Sequence, residues 1–515
     1  MAAARNGPMV ALSAAARTLA PRRVGDAAPT PPLPHSPTRT PGFTRRGPVT
    51  ALVGAMALTA ATACHPAGRS GARATLQFWG LGAEGEVVRQ LVPEFEREHP
   101  GVHVVVQQIP WTAAHEKLLT AFVGGSTPDL SQIGNTWVSE FAALHAVRPL
   151  SVLGARSATA SPDAFFPGAW QGNLVRDTAY GLPWYVDTRV VFYRPDILKR
   201  AGYDSIPGTW SGWLESMERV KAVLGPGHYA LLQPTNEWAT PVVLGMQAGS
   251  PLLRDDGRWG AFEQPTFRRA YDFYIDIFRR DLAPRVASGE VANLYQEFAR
   301  GLYAMYVSGP WQLGEFAKRL PPGTPWATAP LPGPDGRGVS LAGGSSLVIF
   351  KRSAHPAEAW RFLEYLSRPD VQVRFYRLTG DLPAVRAAWQ DTSLSGNPRA
   401  RAFLEQLQRM EPLPKVPEIE DICIKVQETV ESTVRGGVPA DVALRRLDAQ
   451  VDRILTKRRW LLAQDSARNA GRTRAGKRRD GETAGGQDGG PRLGAQGIGV
   501  SSAATPAHAR AGSRS

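Results

Sequence analysis

The sequence predicts an α/β protein of two lobes, and two observations carry the prediction. Strand-like and helix-like segments alternate from Thr75 onward. They are more numerous than one doubly wound sheet accommodates. The net charge of +14 is also concentrated at the ends of the 515-residue chain. Residues 1–73 carry nine Arg, no Lys and one Asp, and residues 463–515 carry nine Lys or Arg against four acids. That leaves residues 74–462 within about one charge of neutrality. A neutral middle without a long basic run has nothing to set against a row of phosphates, so nucleic acid is not an expected partner.

At the N-terminus, residues 21–48 are rich in Pro, Arg and Thr, a composition too polar to bury a core. Arg45-Arg46-Gly47 precedes an uncharged apolar run from Val49 to Ala63. About fifteen residues suit the core of a signal peptide and fall short of the roughly twenty a membrane span needs. The run ends in Leu58-Thr-Ala-Ala-Thr-Ala-Cys64, small residues before a cysteine, which resembles a bacterial lipobox; the paired arginines resemble a twin-arginine export signal. The expected organisation is an n-region with signal peptide over 1–63, a lipidated tether from Cys64 to residue 73, a two-lobe domain over 74–462 and a disordered basic tail over 463–515. Lipidation of Cys64 leaves Cys423 alone, so neither a disulfide nor a cysteine metal site is expected.

Within the domain, Thr75–Trp79 reads as a strand, Glu84–His99 as an amphipathic helix ending at Pro100-Gly101, and Val102–Gln107 as a β-branched strand. Ala113–Val123 is a helix stopped by Gly124-Gly125, Asp129–Ile133 a third strand, and Thr136–Leu144 a helix. Strands separated by single helices predict a parallel sheet with helices on both faces and ligands at the carboxyl ends of the strands. Further helices are expected over Pro195–Ala201, Trp210–Val223, Thr266–Arg280, Pro310–Arg319, Pro356–Leu366, Pro369–Leu378, Pro417–Val434 and Pro439–Lys457. Further strands are expected over Tyr229–Leu232, Tyr303–Val307 and Ser345–Phe350.

One enzyme motif is literally present. Gly80-Leu-Gly82-Ala-Glu-Gly85 matches the dinucleotide fingerprint between a strand and a helix. The acid that should end the second strand is missing, since that strand runs into Gln107-Gln108-Ile109-Pro110. An exported NAD(P)-dependent oxidoreductase is therefore the alternative function rather than the first. No nucleophile elbow, zinc helix or phosphate loop occurs, and the nine histidines are scattered. No catalytic residue, cofactor or metal is expected.

Fourteen tryptophans are present, several at expected loop or element ends: Trp79, Trp111, Trp137, Trp184, Trp238 and Trp311. Flat aromatic faces beside carboxylates and amides are what the apolar faces and hydroxyl rims of sugars require. Four segments then resemble family 1 extracellular solute-binding proteins of the maltose/maltodextrin type: Thr127-Pro-Asp129-Leu-Ser-Gln-Ile-Gly-Asn135-Thr-Trp137, Gly181-Leu-Pro-Trp184-Tyr-Val-Asp187-Thr-Arg189-Val-Val-Phe-Tyr193-Arg, Val307-Ser-Gly-Pro310-Trp311, and Gly343-Gly-Ser345-Ser-Leu-Val-Ile. The helix Ala357–Leu366 and Thr379-Gly-Asp-Leu-Pro383 follow in the family's order.

The resemblance implies a type II periplasmic-binding-protein-like fold, two lobes joined by hinge crossovers, the first near 181–194. It implies a monomer that captures a sugar or oligosaccharide and delivers it to ABC transporter permease subunits, held at the membrane by a lipid anchor. The ligand-binding residues it implies are Trp79, Asp129, Asn135, Trp137, Trp184, Asp187, Trp238, Trp311, Gly343, Gly344, Ser345, Asp381 and Arg386. Two have a second reading: Asp187 as the partner of Arg189 in a hinge salt bridge, and Asp129 as the anchor of its own turn.

Overall fold

The computed structural model describes residues 73–464 except 155, 156 and 158. The signal peptide, Cys64 and nearly all of the basic tail therefore lie outside the described residues. The last described segment, residues 456–464, is helical, two residues past the expected boundary at 462.

Ten strands build two sheets. They are β1 (Ala74–Leu81), β2 (Val102–Ile109), β3 (Leu130–Gly134), β4 (Leu182–Asp187), β5 (Val190–Tyr193), β6 (Tyr229–Leu232), β7 (Tyr303–Ser308), β8 (Ala327–Pro330), β9 (Gly343–Ile349) and β10 (Leu382–Pro383). The first sheet has the order β10-β4-β9-β3-β1-β2 and the second the order β8-β5-β7-β6. The chain leaves the first sheet at Asp187, enters the second at Val190 and returns to the first at Gly343. Two residues, Thr188 and Arg189, thus join the first sheet to the second.

That excursion explains the main departure from expectation. β1, β2 and β3 run parallel as predicted, but β9, returning from the second lobe, is inserted antiparallel between β3 and β4. The sheet is therefore mixed. β10 then pairs antiparallel with the outer edge of β4.

Alternation along the strands sets the two cores. In β5, Val191 and Tyr193 enter the core of the second lobe with Trp213, Tyr271 and Val430, whereas Val190 and Phe192 join the core that continues under the first sheet. At the far end of β4, Trp184 and Val186 are buried like Leu182 and Pro183 before them, while Tyr185 and Asp187 are half-buried and line a cleft. The helix Gly82–Glu98 buries Val88, Leu91 and Phe95 on the first sheet. In the second lobe, Ile419–Val434 and Ala440–Ile454 pack together and onto the helix Pro265–Arg279. Among the described residues no helix is long and apolar enough to cross a membrane.

Candidate functional site

Strand ends from both lobes converge on a cleft of about 440 Å³. From the first lobe come the turn after β1 with Glu84, the β3 end with Gly134 to Trp137, the β4 end with Tyr185 and Asp187, the β9 start with Gly343 and Gly344, and Asp381 just before β10. From the second lobe come Trp238, Pro310 with Trp311 beyond β7, and Glu420 on the helix Ile419–Val434. Arg189 of the crossover and Trp111 complete the aromatic and charged lining.

The polar side chains hold one another. The Tyr185 hydroxyl donates to Glu84 Oε1 at 2.9 Å, and the Trp111 indole N–H donates to the same carboxylate at 3.3 Å. Both oxygens of Asp187 accept from Arg189 Nη1, at 2.7 and 2.8 Å. The Arg189 guanidinium lies 4.8 Å from the centroid of the Trp311 ring, a cation–π contact that fixes the ring's inner face. The outer face stays open: Trp311 is 42% exposed. Asn135 donates to the Ala342 carbonyl at 2.5 Å. The Thr136 hydroxyl donates to Glu420, joining the two lobes at the rim.

Local geometry accounts for the glycines. Gly344 has φ +119, and a Cβ there would strike the Tyr185 carbonyl across the β9–β4 pairing. The dinucleotide-like turn has its own explanation: Gly80 and Gly85 touch backbone to backbone, and Gly82, at φ +55, is covered by Trp111. Glu84 puts a carboxylate in the first turn of the helix, where a pyrophosphate would have to sit. The glycines therefore serve packing, and the oxidoreductase alternative loses the motif on which it rested.

Of the residues expected at the ligand, Asn135, Trp137, Asp187, Trp238, Trp311, Gly343, Gly344 and Asp381 line this cleft. Five are placed elsewhere. Trp184 is 1% exposed, its ring 4.5 Å from Phe375 in the core. Trp79 packs over Leu81 and Ile109 behind the site, under the Lys117 ammonium. Asp129 accepts from the Gln77 backbone N–H at 2.9 Å and the Ser353 hydroxyl at 2.6 Å, and so anchors its turn. Ser345 is buried and donates to the Ile133 carbonyl at 3.0 Å, tying β9 to β3. Arg386 is exposed and borders a separate cavity of about 670 Å³ with Asp163 and Trp389. The lining residues not expected as ligand contacts include Glu84, Trp111, Thr136, Tyr185, Arg189 and Glu420.

Comparison with known proteins agrees with this architecture. The sugar-binding protein MalE of the phytopathogen Xanthomonas citri superposes with a TM-score of 0.74 at 48% identity, over 76% of this chain and 99% of that one. A lipoprotein of Streptomyces antibioticus is 29% identical over 64% of this chain and 75% of its own length. The galactooligosaccharide-binding protein of Bacillus subtilis is 25% identical over 76% of this chain and 93% of its own. The sequence profile of the bacterial extracellular solute-binding proteins matches residues 79–373, so with these two lobes and the cleft between them the chain belongs to that family of binding proteins.

Proposed function

We propose that the chain is the substrate-binding component of an ABC importer, capturing a sugar or oligosaccharide in the cleft between its lobes and delivering it to the permease. The observation that carries this is the cleft lining. Four tryptophans, Trp111, Trp137, Trp238 and Trp311, surround carboxylates, an amide and glycine backbone at the strand ends of both lobes. Aromatic faces take the C–H faces of a pyranose, and the carboxylates and Asn135 take its hydroxyls. Capture favours the closed arrangement of the lobes, which a permease can distinguish from the open one. The names of the Xanthomonas and Bacillus relatives support a saccharide. The Streptomyces relative supports anchoring as a lipoprotein through Cys64, on the outer side of the membrane.

A thermal-shift screen of the protein against di- and oligosaccharides tests the reading. A saccharide present at about a hundred times its dissociation constant stabilises the folded state by about 2.7 kcal/mol. Trp311→Ala removes the exposed platform and is expected to weaken that ligand by about 2 kcal/mol in a protein that still folds. A shift from glycerol phosphodiesters alone, indifferent to Trp311, would count against a saccharide.

A further inference from the structure

We propose that Asp381 meets the captured ligand as a neutral acid, so that binding in this cleft takes up a proton. The inference rests on the saccharide reading, because it requires an uncharged, hydroxyl-rich ligand.

The pairing of β10 with β4 places the group. Leu382 lies opposite Val186 and Pro383 opposite Tyr185 in antiparallel register, so the next step outward sets Asp381 against Asp187. Antiparallel partners are about 5 Å apart at Cα. Glu84, at the first turn of its helix, lines the same cleft and is joined to Tyr185. The groups facing Asp381 are therefore two acids, Glu84 and Asp187, and the Tyr185 phenol.

The cation at hand is paired with Asp187, and among the described lining residues none is set against Glu84 or Asp381. Arg189 is the one guanidinium or ammonium among the described lining residues, and it is held by Asp187 on one side and by Trp311 on the other. Glu84 takes neutral donors from Tyr185 and Trp111, and Glu420 takes one from Thr136. The Asp381 backbone N–H donates to the Thr379 hydroxyl at 3.0 Å, which keeps that hydroxyl beside the carboxyl. Burial first, then the charges of Glu84 and Asp187, push it up to about 7 against the opposing pull of Thr379.

Closing an uncharged ligand over this corner expels water from the carboxyl groups without supplying a positive charge. The ionised form of Asp381 becomes costlier still, so its pKa is higher in the complex than in the free protein. A group with the higher pKa in the complex takes up a proton on binding, so affinity is greatest below that range and falls as the pH rises through it. A protonated carboxyl also both donates and accepts, as a sugar hydroxyl does.

Calorimetric titration of the full chain with maltose, trehalose and galactobiose tests this. If only the protonated form is competent, any of the three that binds should do so about tenfold more weakly at pH 8 than at pH 6. Proton uptake should appear as a dependence of the heat on the buffer's ionisation enthalpy. Asp381→Asn, which holds a neutral amide in place of the acid, should lose most of this tenfold change between pH 6 and pH 8, whatever its absolute affinity. Affinity independent of pH in the wild type overturns the proposal. So does affinity that rises with pH and is lost in Asp381→Asn, the signature of an ionised carboxylate contacting a donor. If none of the three binds, the saccharide reading fails separately. The carboxyl 13C titration of Asp381 in the free protein then decides: a midpoint near 7 supports the proposal, and one below about 5 overturns it.

Discussion

Arg189 is the residue on which most of the cleft's chemistry turns. Its side chain is 12% exposed and that of Asp187 19%, so the ion pair is largely out of water. Burial disfavours the guanidinium's charge, but Asp187 and then Glu237 more than offset this and hold its pKa above the usual value. Removing one partner leaves the other charge buried and uncompensated, so Asp187→Asn is expected to cost about 3 kcal/mol in urea denaturation. It should also free the Arg189 head from beneath Trp311. The pairing was legible in the sequence as an alternative to ligand contact, and the structure gives Asp187 both positions. The neighbouring choice went to the wrong residue for a reason the sequence contained. Successive side chains in a strand point to opposite faces, so a cleft-facing Asp187 selects Tyr185 as its companion and sends Trp184 to the core. Type outweighed phase, because tryptophan suits a sugar so well. Glu420 had no such signal: it reaches the site from a helix hundreds of residues beyond Thr136, and only the packing of the lobes brings the two together.

At the scale of elements, what could be read depended on whether burial was one-sided. Helices with one apolar face, such as Pro265–Arg279 and Pro356–Leu366, were placed within a residue or so of their ends. The helix Ala239–Gln247 was missed because seven of its nine residues are buried, which erases the 3.6-residue period. β8 was missed as well; it ends in Pro330, which is tolerated because β8 is an edge strand. The first three strands are parallel as read, but order along the chain does not reveal that β9 returns antiparallel beside them. That insertion makes Gly344 structural as well as cleft-lining. At φ +119, and pressed against the backbone of Tyr185 to Asp187, it has no room for a methyl group. Gly344→Ala is expected to destabilise by about 2–3 kcal/mol in urea, with the loss reported by the first lobe. An equal loss from Gly314→Ala, where nothing surrounds the added carbon, would refute the argument from crowding.

For the whole molecule the open question is what sets the balance between open and closed lobes before a ligand arrives. Polar contact between the lobes at the cleft rim centres on Glu420, which accepts from Thr136 of the first lobe. Beside it His115 is bonded to Glu140 at 2.6 Å, and its ring is 4.9 Å from that of Trp137. The Glu140 bond, and then the more distant charges of Glu420 and Asp421, hold His115 above its ordinary pKa, although burial works the other way. Glu140 is on the same lobe as His115, so only the pull of Glu420 and Asp421 belongs to closure; that part is present at low pH and is lost as the pH climbs through the value raised in the closed form. The rim should therefore favour closure in mild acid, the direction also inferred for Asp381, although the two groups lie on different elements. The rim contribution can be separated from the site. Glu420→Gln keeps an acceptor for Thr136 but removes the charge, whereas Thr136→Val removes the bond and keeps the charge. A hydrogen bond to a charged group contributes about 1.5–3 kcal/mol, so Thr136→Val should move the closed fraction of the free protein down by tenfold or more. In solution scattering this reads as a larger radius of gyration without ligand. Saccharide affinity should fall by the same factor, because a ligand that binds the closed form is weakened in proportion to that form's population. Glu420→Gln should flatten the part of the pH dependence that survives in Asp381→Asn. A radius of gyration unchanged in both variants between pH 6 and pH 8 would show that the rim contact follows closure rather than driving it.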